Sequence, residues 1–326
     1  MATGNEERFN FGLGEAVIRF STNNAELMTE IHKDFGIYET RKDLRPDGQM
    51  RVIQTNKDFP LKVPKYAIRE TVSPQMSIFN ESNNKFIYKM GERIYRIDFE
   101  RNIILSYIRT LYDFSYVQYL LKWLLIKSLE KRGAVFIPGS GIERNGIYLL
   151  FLASPGFDET HNLITFLLNG YKLTTDSTIF FRGEKVLPFY LRSRIHPTMF
   201  TKFPILKENV DKMCPSLPDG SVVINLREIF PFQEKEGHPS KLFYMRAWNA
   251  PETKIEVVSK KEILSRLLHI YHNELSHSMW SNYEKNNVLQ SIFPGYQAFV
   301  EKADCYKVCV GSDQSAFLKT IQSVTV

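Results

Sequence analysis

The sequence predicts an α/β protein in which a mostly antiparallel, strand-rich lobe precedes an α/β core. Two observations carry that expectation. Residues 147–153 (IYLLFLA) form a continuous apolar run, too short for an ordinary helix and suited to a buried strand. Ser154-Pro155-Gly156 breaks it, and Leu163, Ile164, Phe166, Leu167 and Leu168 then follow at helical spacing. Asp158 is placed to cap that helix and Gly170 to end it. The second observation is residues 1–110, where short strand-like runs alternate with polar turns.

In chain order, the lobe runs are EAVIRFST, MRVIQT, KFIYKM, RIYRIDF and NIILSYI, with turn chemistry at Pro46-Asp47-Gly48 and Asn83-Asn84. Residues 24–35 (NAELMTEIHKDF) read as one short helix between the first two runs. Residues 116–131 form the clearest helix, with Val117, Leu120, Leu121, Leu124, Leu125 and Leu129 on a wide apolar stripe and Ser115 as its cap. The lobe is therefore bounded at residues 1–114 and the core at 115–326. Residues 134–137 are a candidate strand, and residues 171–181 a second strand-like run after the loop helix, with Gly183 in a hairpin turn. SVVINLREIF and KLFYMRAWN supply further strands. Ser259 and Glu262 have the form of a capping box ahead of Ile263, Leu264, Leu267 and Leu268. A helix is expected over residues 281–293, and a last helix over residues 312–320.

At 326 residues the chain can bury a core, and 43% hydrophobic with 24% charged residues argues against disorder. The formal charge of +6 has no concentrated basic tract behind it, so it speaks to solubility rather than to nucleic acid. Cys214, Cys305 and Cys309 make neither a disulfide framework nor a metal set; Cys305 and Cys309 fall on one face of a strand. The opening residues lack an apolar leader core, and no apolar segment reaches the roughly 20 residues of a membrane span. A cytoplasmic protein is the expectation.

Strand, tight loop, helix and strand is the frame on which phosphate-binding loops are built. Such a loop reads G-x-x-x-x-G-K-[ST]. Here residues 153–160 read ASPGFDET: Ala153 replaces the first Gly, Asp158 the second and Glu159 the Lys, leaving Gly156 and Thr160 as the phosphate-loop residues in place. A unit charge pair about 4 Å apart at an effective dielectric near 20 is worth roughly 4 kcal/mol. Reversing its sign with Glu159 opposes nucleotide binding, and Asp158 adds a second negative charge.

The flanks of this loop carry a resemblance. GYKLTTDSTIFFRGEKVLPF, followed by RSRIHP, is similar to the segment after the loop helix in the HPr serine kinase-like family of bacterial P-loop kinases, related to PEP carboxykinase. Gly170, Tyr171, Leu173, Asp176, Leu187 and Pro188 match it. The second Asp of the family pair is Ser177 here, and Pro138 stands where the family commonly has a His. The resemblance is most specific over residues 133–197. It implies a P-loop kinase (HPr kinase/PEP carboxykinase-like) core with a degenerate loop at 153–160. Asp176, the family carboxylate kept in place, becomes the candidate catalytic base, against a structural reading in which nearby backbone holds it.

Asp158 and Glu159 are explained either as helix-opening carboxylates, favoured there by the helix dipole, or as a cation or amine site shared with Thr160 and Asp176 at the carboxyl ends of adjacent strands. His269, His272 and His277 invite a metal reading, but the pattern is not H-E-x-x-H and no metal is expected. Arg192 and Arg194 are candidates for an anion contact or for a solvated turn. The function expected is that of a pseudokinase binding a peptide, a partner protein or a small molecule in a bacterial biosynthetic or regulatory pathway. The enzymatic alternatives are an ATP- and magnesium-dependent phosphotransferase, or a repurposed site at Asp158, Glu159 and Asp176. No cofactor is expected on the leading reading, neither nucleic acid nor membrane is expected as a partner, and a homo-oligomer is compatible with the sequence.

Overall fold

The computed structural model of the protein describes residues 6–72, 76–89, 92–109, 114–152, 159–210, 220–248, 250–277 and 288–325. It is a mixed α/β protein with several sheets, and no sheet closes into a barrel. Two compact units divide it, residues 1–132 with 275–286 and residues 133–274 with 287–326. The division after Arg132 groups the helix expected to open the core with the N-terminal lobe instead.

In the first unit, strands β1 (Glu7–Leu13) and β2 (Ala16–Thr22) form a hairpin, followed by helix α1 (Ala25–Phe35). The Oδ1 atom of Asn24 accepts from the Leu27 amide at 2.7 Å, capping α1 where the sequence places its start. Strands β3 (Glu39–Thr40), β4 (Gly48–Gln54), β5 (Ile68–Val72), β6 (Met76–Glu81), β7 (Asn84–Lys89), β8 (Arg93–Asp98) and β9 (Ile103–Ile108) complete a nine-stranded sheet, ordered β3-β1-β2-β4-β9-β8-β7-β6-β5. All pairings are antiparallel except β2/β4 and β4/β9, so the expected character of the lobe holds. Helix α2 (Phe114–Glu130) packs on β2 and β4 through Leu120, Leu121, Leu124 and Leu125, all fully buried. It begins a residue before Ser115, which lies in its first turn and not at its cap. Asn102 Nδ2 donates to Ser128 Oγ at 2.8 Å, tying the turn before β9 to α2.

The second unit contains β10 (Ala134–Ile137), β11 (Gly139–Arg144), β12 (Ile147–Leu152), α3 (Glu159–Leu168), β13 (Lys172–Thr175), β14 (Ile179–Arg182), β15 (Lys185–Leu187), β16 (Ser193–Ile195), α4 (Thr198–Lys202) and α5 (Pro204–Val210). It continues with β17 (Val222–Ile224), β18 (Pro239–Ala247), β19 (Lys254–Val257), α6 (Lys260–His277), α7 (Val288–Glu301), β20 (Asp304–Val310) and α8 (Gln314–Ser323). Its main sheet has the order β13-β11-β12-β18-β20-β19. Because β11 is antiparallel to both β12 and β13, while β18 and β20 run parallel to β12, four strands point the same way. The core on one side of this sheet is aromatic: Phe151 stacks on Phe166 of α3 at 5.3 Å and on Phe243 at 5.2 Å.

Two expected elements are corrected. The run expected as one strand over residues 171–181 is two strands, β13 and β14, in different sheets. The break falls at Ser177, whose φ of 62° turns the chain out of the first sheet. Of the helix expected over residues 281–293, residues 281–287 lie outside the described residues; the rest belongs to α7, which runs on through Pro294 to Glu301. Buried Ile292, Tyr296, Phe299 and Val300 hold it there, and burial of that face outweighs the hydrogen bond lost at proline.

Candidate functional site

The candidate site begins where β12 leads towards α3. Gly156 and Asp158, and with them the loop over residues 153–158 and the expected cap, lie outside the described residues. Glu159 is the first residue of α3, and Thr160 beside it is half-buried. The far end of α3 closes as the sequence predicts. Gly170, at φ 82°, donates its amide to Leu167 O at 3.2 Å, and Tyr171 donates to Phe166 O at 3.3 Å. The paired bonds form a Schellman motif, and the Phe166 and Tyr171 rings pack edge to face across it at 5.2 Å.

From this turn β13 carries the chain to Asp176, at the same sheet edge as the carboxyl end of β12. The two strands are not adjacent, however, because β11 lies between them. At about 4.8 Å per strand, their axes are roughly 10 Å apart. The expectation that the two strands are adjacent is therefore corrected: β11 lies between them. That strand went unread because GSGIER looks like a loop. Its glycines serve close packing instead: a Cβ at Gly141 would sit 2.8 Å from Leu150 Cδ2 and 2.9 Å from Thr175 Cγ2.

Asp176 is only 8% exposed. The Ser193 hydroxyl, on β16, donates to its Oδ2 atom. Ser193 is in turn fixed by Tyr190, a fully buried hub. The Tyr190 hydroxyl donates to Ile224 O at 3.0 Å and accepts from the amides of Leu226 at 2.7 Å and Ser193 at 3.2 Å. A phenol has one donor and two acceptor sites, so these three bonds saturate it. Burial pushes the Tyr190 hydroxyl well above its ordinary range, and the nearby Asp176 charge adds to the rise. Both effects keep Tyr190 protonated.

Other candidates disperse. Arg192 is buried and Arg194 exposed. His269 and His272 are exposed on α6, and among the described residues no group of three or more His, Cys, Asp or Glu side chains could hold a metal ion. Cys214 and the side chain of His277 lie outside the described set. Cys305 is buried and its thiol is pushed up to about 11, chiefly by that burial, while Cys309 is half-buried. The sequence reading missed His161, on the first turn of α3: its Nδ1 lies 3.2 Å from Lys202 Nζ, and its ring meets Phe203 edge on at 5.0 Å. A histidine directly after an anomalous loop is a signal that could have been taken up.

No protein-family model and no curated protein sequence matches the chain. Among the described residues no helix is long and apolar enough to cross a membrane.

Proposed function

We propose that the second unit is a kinase-like core that works by binding and not by phosphoryl transfer. It would be a catalytically impaired relative of the HPr serine kinase-like proteins, with a peptide, a partner protein or a small molecule as ligand. The setting this suggests is a bacterial biosynthetic or regulatory pathway. The observation that carries the reading is the state of Asp176. A general base must reach the proton it removes; this carboxylate is buried and engaged by the Ser193 hydroxyl. The sequence of the loop supports the same conclusion, since phosphoryl transfer depends on neutralising developing charge and Glu159 supplies the wrong sign. Four like-directed strands, with β12 leading into α3, are compatible with such a core.

The test is isothermal titration of the full chain with ATP and magnesium. Dissociation worse than roughly 1 mM is expected, near −4 kcal/mol, with a correspondingly small thermal shift at millimolar nucleotide. Micromolar affinity, with phosphate seated against the amides of residues 156–160, overturns the reading.

A further inference from the structure

The helices α1 and α2 cover one face of the nine-stranded sheet; its other face carries a cavity of about 310 Å³. Arg8, Ser21 and Arg51 stand directly opposite one another across β1, β2 and β4, and Arg19 and Gln49 form the next cross-strand pair. All five side chains line the cavity, together with Glu6. No sequence tract announces this cluster, because each arginine comes from a different stretch of chain and only strand register assembles them.

The charges in the cavity do not balance. Glu6 is its one carboxylate against three guanidinium groups. Arg51 Nη2 donates to Glu6 Oε2 at 2.8 Å, but Arg8 stands off at 3.8 Å. Arg19 meets neutral acceptors, Asn10 Oδ1 at 3.1 Å and Leu44 O at 3.2 Å, and no ion pair of its own is found among the described residues. Two positive charges are left over, which matches one dianion. Positions two strands apart are roughly 10 Å from each other, so Arg8 and Arg51 can grip a tetrahedral group from opposite sides, with fork-shaped donors suited to phosphate oxygens. Glu6 precedes the first residue of β1 and makes no part of its ladder, so its side chain can leave without unpairing a strand.

We propose that this cavity is a phosphate site: a phosphomonoester dianion binds between Arg8, Arg19 and Arg51 when Glu6, the carboxylate that now occupies the cradle, turns out. The rigid sheet positions the arginines, and Glu6 acts as a tethered competitor for the ligand.

Titration of the full chain with inorganic phosphate and with a phosphoserine tetrapeptide, at low ionic strength, tests the site and separates free phosphate from a phosphorylated side chain as its source. Glu6→Gln should tighten binding about tenfold by removing the competitor, and Arg51→Ala should weaken it about tenfold or more. Gln49→Glu adds a carboxylate at an exposed position opposite Arg19 and breaks no bond; it should weaken binding comparably and keeps the test valid if Arg51→Ala does not fold. Phosphate affinity indifferent to these changes, or matched by chloride at equal ionic strength, overturns the proposal. The outcome is separable from the proposed function: ATP affinity lost on Arg51→Ala belongs to this cavity, and affinity that survives belongs to the second unit.

Discussion

Asp176 and Glu6, one carboxylate from each unit, are held in opposite ways. Asp176 is buried at the edge of the mixed sheet, bonded by a neutral hydroxyl that a saturated tyrosine hub fixes in turn. Glu6 stands on an open sheet face among guanidinium groups, one of them bonded and two not. A buried carboxylate bonded by a fixed hydroxyl is closed off from solvent. A carboxylate in an open cradle with surplus opposite charge can be replaced by another anion. The contrast shifts attention from the second unit, where the candidate carboxylate is enclosed, to the first, where one stands among surplus guanidinium groups.

The largest effect expected from breaking this contrast is on the closed side. Tyr190→Phe removes the acceptor of the Ser193 and Leu226 amides and the donor to Ile224 O, all in buried surroundings. Each buried polar group left without a partner costs about 1–3 kcal/mol, and local relaxation recovers part of it, so about 3 kcal/mol is expected in denaturant unfolding. A loss below about 1 kcal/mol would mean that water reaches the network and that Asp176 is as open as Glu6.

Asp176→Asn should cost less. The amide oxygen can still accept from Ser193, so the change removes charge assistance, worth about 1 kcal/mol. Affinity for any ligand of the second unit should stay as it is. An unchanged melting temperature with loss of binding or activity would move Asp176 from scaffold to site and return the protein to the enzymes.

How much of this could be read in the sequence depends on range. The helix over residues 24–35, the Gly170 stop, the turn at Gly183 and the α2 stripe depend on neighbours within a few residues, and each was legible. Strand β11 was not, because Gly139 and Gly141 look like loop residues until Phe151 and Thr175 pack against them. The split between β13 and β14 depends on a left-handed Ser177, which no residue preference announces. Ser193 as the partner of Asp176 is 17 residues away, and the arginine cradle gathers residues 6–51 through cross-strand register. Local chemistry shows in the sequence; what long-range pairing assembles does not.

The smallest effect is on the open side and is read through pH. Partial burial pushes the Glu6 carboxyl up, but the Ser21 hydrogen bond and the charges of Arg51 and Arg8 outweigh it and hold the group below its ordinary 4.5. A carboxyl lowered in the folded state binds its proton less readily there than in the unfolded chain. Its contribution is therefore complete above pH 4.5 and fades as pH falls through the lower folded value. With Arg51 half exposed, the contribution should be only about 0.5 kcal/mol, and less in salt. Unfolding curves of the protein and of Glu6→Gln should accordingly run parallel from pH 7 down to pH 4.5 and converge below it. A difference that instead grew as the pH fell would mean that burial dominates at Glu6. The cradle would then be as closed as the Tyr190 network, with no anion to give up and no phosphate to gain.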